Sequence, residues 1–257
     1  MQRTTKISAL GATLAIGGML AFSGQAMADQ VKADYLSHQG GNINTNVGNG
    51  GGGRFKFDRD DAGGDEFGGI LNTDGGPTNL GGTDNLYYAF CLEPNEALKD
   101  GYKVYDVVAL ADAPDSGVSG AMGDRAEDLK LLFGNVYPDF SQSIDTQTAI
   151  ALQIAVWEIA NESTGTYDVI NDGPSDTTKG DFYVANQNAA RAQAQEWLDE
   201  INNDNWTEKA DGLVALIGPE NRQDFVAQVV PIPAAAWLFG SALFGMAGIG
   251  YRRGRKV

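Results

Sequence analysis

The sequence predicts an α+β domain in which a mostly antiparallel β framework packs on a small group of helices. Three observations lead there. Short apolar or alternating runs occur on both sides of the middle of the chain, and the middle itself switches to a three- and four-residue apolar period. One of the helices so predicted, over IALQIAVWEIA, is apolar on nearly every side and must be covered from several directions. No repeat of fixed period accompanies them.

Residues 39–82 are rich in Gly, Asn and Asp, with GNGGGGRF and DRDDAGGDEFGG at the centre, a composition that favours turns and loops. Strands are predicted at Arg54 to Asp58, Leu86 to Glu93 and Tyr102 to Leu110; in the last, Tyr102, Val104 and Asp106 oppose Lys103, Tyr105 and Val107. Met122, Ala126, Leu129 and Phe133 then recur at helical spacing, and Pro138 closes that helix. The apolar helix follows from about Asp145, its predicted N-cap, through Ala160. A third helix covers roughly Asn186 to Asn202, with Ala190, Ala194, Trp197 and Ile201 on one face. Two strand-like runs, Leu213 to Ile217 and Asp224 to Val230, end the domain around a Gly-Pro-Glu-Asn turn.

The two ends of the 257-residue chain read differently. Arg3 and Lys6 precede a small-residue apolar stretch from Ile7 to Phe22, and Ala26-Met27-Ala28 fits a signal peptidase site, so residues 1–28 are expected to be a cleaved export signal. At the other end, Pro231 and Pro233 precede 17 uncharged residues, Ala234 to Gly250, and Arg252, Arg253, Arg255 and Lys256 follow at once. That run is long enough to cross a hydrocarbon core as a helix, with its basic end in the cytoplasm. Residues 29–230 remain as one domain able to bury a core. It carries all 34 acidic residues but only 12 of the 18 Lys and Arg, a net charge of −22, which argues against nucleic acid and anionic lipid as partners.

Val230-Pro231-Ile232-Pro233-Ala234, the helix and the Arg-rich end resemble, in that order, the PEP-CTERM sorting signal of Gram-negative bacteria in its Val-Pro-x-Pro-Ala variant. The resemblance implies a membrane intermediate processed by an exosortase, and a destination at the cell surface or in the exopolysaccharide matrix.

Cys91 is the single cysteine. Exported proteins usually carry cysteines in pairs, so a lone thiol inside a predicted apolar strand asks for an explanation. Gln153 is a second anomaly, because it shares a stripe of the apolar helix with Ile150, Ile154 and Trp157. Burying its amide unpaired costs roughly 1–3 kcal/mol, so it needs a partner. A strand carbonyl or backbone N–H would serve, leaving an ordinary buried thiol and amide. Phe90-Cys91-Leu92 and Gln153-Ile154-Ala155-Val156-Trp157 also resemble the two motifs of the Cys–Gln thioester domains of bacterial surface adhesins, with Leu152 standing where that family has Thr or Ser. The resemblance implies an internal Cys91–Gln153 thioester, open to attack by an amine or hydroxyl target. Phe90, Leu92, Ile154 and Trp157 would then limit water at the bond. Reactive-thiol uses of Cys91, including a disulfide to a partner, are the remaining reading.

Other chemistry has less behind it. Glu93 and Glu158 lie close enough in sequence to deprotonate an attacking amine, though solvated surface carboxylates are the commoner outcome. His38 is the only histidine, which excludes a histidine metal cluster and makes a Cys–His pair depend on a glycine-rich segment. Asp58, Asp60 and Gly63 fit positions of a calcium loop, but Ala62 and Gly69 stand where ligands are required. No metal or cofactor is predicted, and no turnover enzyme. Two functions stand: an adhesin that attaches covalently through the thioester, or a noncovalent structural component of the extracellular polysaccharide matrix.

Overall fold

The computed structural model describes residues 29–59, 86–96, 98, 101, 103–114, 121–162, 166–170, 182–219 and 222–228. The predicted export signal, the sorting motif with Val230, Pro231, Pro233, Arg252 and Arg253, and most of the acidic loop lie outside them. Among the described residues no helix is long and apolar enough to cross a membrane.

Among the described residues six strands form the framework: β1 (Asp29–Asn44), β2 (Asn49–Arg59), β3 (Leu86–Cys91), β4 (Lys103–Ala109), β5 (Leu213–Ile217) and β6 (Phe225–Gln228). They pair antiparallel throughout and close into a barrel in the order β1-β2-β3-β6-β5-β4. Closure gives each strand a partner on both sides. Rings fill the interior: Phe57 stacks on Tyr87 at 5.1 Å between centroids and meets Phe225 edge-on at 4.9 Å, with Phe55 and Tyr105 completing the set.

Among the described residues there are three α-helices, α1 (Arg125–Val136), α2 (Thr146–Asn161) and α3 (Asn188–Asn202), grouped around α2. The α2 helix packs on β1, β2 and β3 and also against α1 and α3, which is why its sequence has no polar face. Every residue from Ala149 to Asn161 is buried, Trp157 included. Asp145 caps it, Oδ1 accepting from the Thr148 N–H at 2.9 Å. The stripe predicted for the first helix, Met122, Ala126, Leu129 and Phe133, is buried as well. In α3, Ala190, Ala194 and Ile201 are buried and Trp197 is partly so.

Much of the glycine-rich stretch departs from the expected loops. β1 runs to Asn44 and β2 starts at Asn49, so Gly40, Gly41 and Gly50 to Gly53 lie in a hairpin. Composition misleads here because these glycines serve close packing. A Cβ on Gly52 would collide with the Ile43 side chain and come within 3.1 Å of Gln153 Cγ, while Gly53 sits at φ +134°, which L side chains rarely adopt.

Candidate functional site

Cys91 is the last residue of β3. Alternation along the strand puts it on the same side as Tyr87 and Ala89, toward the ring-filled interior, and turns Phe90 outward onto α1. There Phe90 lies within 5.4 Å of the Phe133 ring and 5.6 Å of Phe140, centroid to centroid.

The ladder between β2 and β3 ends at Phe55 and Ala89. Two residues further along β3, at Cys91, the Gln153 carboxamide takes the place of a paired residue. The Cys91 N–H donates to Gln153 Oε1 at 2.9 Å, and Gln153 Nε2 donates to the Cys91 carbonyl at 2.7 Å. On the other side of the strand, Cys91 is in register with Phe225, and the Leu92 N–H donates to the Asp224 carbonyl at 2.8 Å. The α2 helix therefore completes a β ladder with a side chain. Gly52, with no Cβ, leaves the room through which Gln153 reaches it.

The predicted cover closes around this contact. Phe90, Cys91, Gln153, Ile154 and Trp157 have no exposed surface, and Leu92 has 1%. Asn161, one turn beyond Trp157, donates from Nδ2 to the Trp157 carbonyl at 2.8 Å and to the Leu92 carbonyl at 3.4 Å, tying the helix to the strand exit.

The sulfur is held by the turn after the strand: Sγ donates to the Glu93 carbonyl at 3.1 Å and receives the Glu93 N–H at 3.3 Å. Burial pushes the thiol pKa far up, and the Trp157 side chain pulls in the opposite direction. Just outside, a cleft of about 240 Å³ is bordered by Glu93, Glu96, Ile217, Arg222 and Asp224. Glu93 Oε2 accepts from the Asp224 N–H at 3.1 Å, and Asp224 Oδ1 accepts from the Gly218 N–H at 2.7 Å. Burial, then the neighbouring Asp224, raises Glu93 to about 7; burial likewise raises Asp224 to about 6.

Glu158 and His38 serve elsewhere. The Glu158 carboxylate is buried and accepts from the Asp168 N–H at 2.8 Å, which fixes the segment after α2. His38 Nδ1 meets the Tyr35 hydroxyl at 2.8 Å, and its ring stacks on Phe55. Among the described residues no group of three or more His, Cys, Asp or Glu is placed to hold a metal.

Sequence reasoning missed Asp224 and Arg222 as neighbours of Glu93, because they arrive there only when β6 pairs with β3. Comparison with protein-family models, with curated proteins and with solved structures finds no match to this chain.

Proposed function

We propose that this is an exported surface or biofilm-matrix protein that attaches covalently to amine- or hydroxyl-bearing targets through a Cys91–Gln153 thioester. One observation carries the reading. The single cysteine and the one glutamine buried in α2 meet in a closed site, joined by two hydrogen bonds.

The arrangement suits the chemistry. Donation from the Cys91 N–H polarises the Gln153 carbonyl and would stabilise the oxyanion when sulfur attacks Cδ. The C–S bond forms, the C–N bond breaks, and the thiol proton leaves with the nitrogen as ammonia. A target amine or hydroxyl later attacks the same carbon and Cys91 departs, giving an amide or ester. The apolar cover slows the competing hydrolysis. Glu93, whose backbone holds the sulfur, also borders the cleft it shares with Asp224.

The second reading is a noncovalent matrix component, and it too has an observation in its favour. The Gln153 carboxamide is paired with backbone on both sides, so the buried glutamine has a structural role without any bond to sulfur. Adding methylamine to the secreted domain separates the two. The covalent reading expects a mass gain of one methylamine and a newly titratable thiol; an unchanged mass with a thiol already free leaves the noncovalent one.

The address rests on residues 1–28 and 230–257. A cleaved signal, a transmembrane intermediate and exosortase processing at the Pro motif deliver the domain to the surface of a Gram-negative cell. Deleting residues 231–257 is expected to give a soluble exported product. Protease mapping that finds Arg252 to Lys256 on the periplasmic side, in cells lacking exosortase, contradicts this route.

A further inference from the structure

The contact between Gln153 and β3 is selective in a way that thioester chemistry alone does not require. One carboxamide meets both backbone groups of a single residue: Oε1 accepts from the Cys91 N–H at 2.9 Å, and Nε2 donates to the Cys91 carbonyl at 2.7 Å. Oxygen and nitrogen sit on the same carbon, so both bonds reach one residue only through the N–H hydrogen on the oxygen's side of the C–N bond. A substituted amide does not offer that hydrogen. In its preferred planar form the substituent lies on the oxygen's side and the hydrogen on the other, and the reverse form is disfavoured roughly a hundredfold. An ester has no N–H at all. There is little slack in which to shift, because Gln153 and Cys91 have no exposed surface and even a Cβ on Gly52 would come within 3.1 Å of Gln153 Cγ.

We propose that this clasp is a latch on the β3 exit: thioester formation opens it, capture of an amine or hydroxyl target keeps it open, and ammonia closes it again. The proposal rests on the thioester reading and adds a conformational consequence to it. When sulfur attacks Cδ, Nε2 leaves as ammonia with the thiol proton, and the buried Cys91 carbonyl loses its donor. A target amine then bonds through nitrogen to Cδ, the C–S bond breaks with its electron pair going to sulfur, and a proton passes from nitrogen to sulfur. The product is a secondary amide whose substituent stands where the Nε2 hydrogen met the Cys91 carbonyl, so the side chain has to leave the strand edge. Ammonia in the same step gives back the primary carboxamide, and both bonds return. With the latch open, β3 is held at this point by its pairing with β6 on the other side and by the 3.4 Å bond from Asn161 to the Leu92 carbonyl.

Opening the thioester with ammonia and with methylamine gives two products that share a free thiol and differ by one methyl group. Amide hydrogen exchange measured by NMR compares them at Cys91, read against the Leu92 amide, which Asp224 holds from β6. The methylamine product is expected to exchange at Cys91 at least about tenfold faster than the ammonia product, the scale of one lost hydrogen bond. Equal protection in the two products overturns the latch and leaves the thioester standing.

A second measurement does not depend on the bond. Replacing Gln153 with Nε2-methylglutamine in a Cys91→Ala protein adds the same methyl without any reaction, and the backbone amide at position 91 is expected to exchange faster by a similar factor than with glutamine in that background. Unchanged exchange there overturns the selectivity of the clasp. A wild-type domain at its full sequence mass that takes up no methylamine, by contrast, removes the thioester reading and the opening step with it, so the two failures are told apart.

Discussion

Gln153 is expected to hold the β3 exit in place whether or not sulfur reacts, and this is separable from thioester chemistry by working in a Cys91→Ala background. There Gln153→Met keeps the length and most of the volume of the side chain but deletes both hydrogen bonds to the backbone at position 91. One backbone N–H and one C=O are left buried without partners at a site with no solvent access. Each such group costs about 1–3 kcal/mol, partly offset because an apolar side chain replaces a buried amide, so a loss of roughly 2–4 kcal/mol is expected. For a domain of this size that is a fall in Tm of roughly 5–15 °C. Urea unfolding followed by circular dichroism measures it, with an unchanged slope showing that the unfolded state is unaffected. A loss under about 1 kcal/mol would refute the view that α2 completes the strand ladder through Gln153.

Two further outcomes follow from the same geometry. Gly52→Ala puts a methyl into the Ile43 side chain and against Gln153 Cγ, so it is expected to cost about 1–3 kcal/mol and to lower the fraction of protein that carries a thioester, both read on one preparation by urea titration and intact mass. Stability is also expected to fall as pH rises from about 4 to about 7 and to level off above. Glu93 and Asp224 have folded-state pKa values above their ordinary ones, so in that window the folded protein holds protons that the unfolded chain has released. They face each other, Glu96 and Arg222 across the cleft; Glu93→Gln, which keeps an acceptor for the Asp224 N–H, is expected to flatten the dependence, and a thermal melt series showing the same slope would contradict it.

What the sequence made legible follows from where local pattern and tertiary demand agree. The α2 helix was visible because cover on all sides requires an apolar sequence on all sides, and Asp145 marks its start by chemistry that needs no neighbour. β5 was visible as an apolar run between turns and matches its predicted bounds, Leu213 to Ile217. β1 was missed even though Val31 and Ala33 are buried, because its alternation with Lys32 and Asp34 is short, carries a bulge between Tyr35 and Ser37 and then runs into glycine. The closed ring was out of reach for a related reason: β3 pairs with β6 and β4 with β1 across long stretches of chain, and no local signal encodes such partners.

The candidate site divides the same way. Cys91 and Gln153 stood out one at a time, as a lone thiol and a misplaced amide, and the resemblance of their flanking motifs to Cys–Gln thioester domains joined them as an expectation. The form of the contact was not legible, since a carboxamide standing in for a β2 residue depends on β3 running on past its last pair with β2, Ala89 with Phe55. The Glu93–Asp224 cleft likewise exists only once β6 is seated beside β3.

The central claim turns on whether the bond forms, and the intact mass of the secreted domain, purified without amine buffers and analysed under denaturing conditions, measures that directly. The account predicts a mass lower than the sequence mass by one ammonia, with Cys91 silent to thiol reagents even when unfolded, and the full sequence mass in Cys91→Ala and Gln153→Ala. A wild-type domain at its full sequence mass, with Cys91 titratable on unfolding, would contradict it.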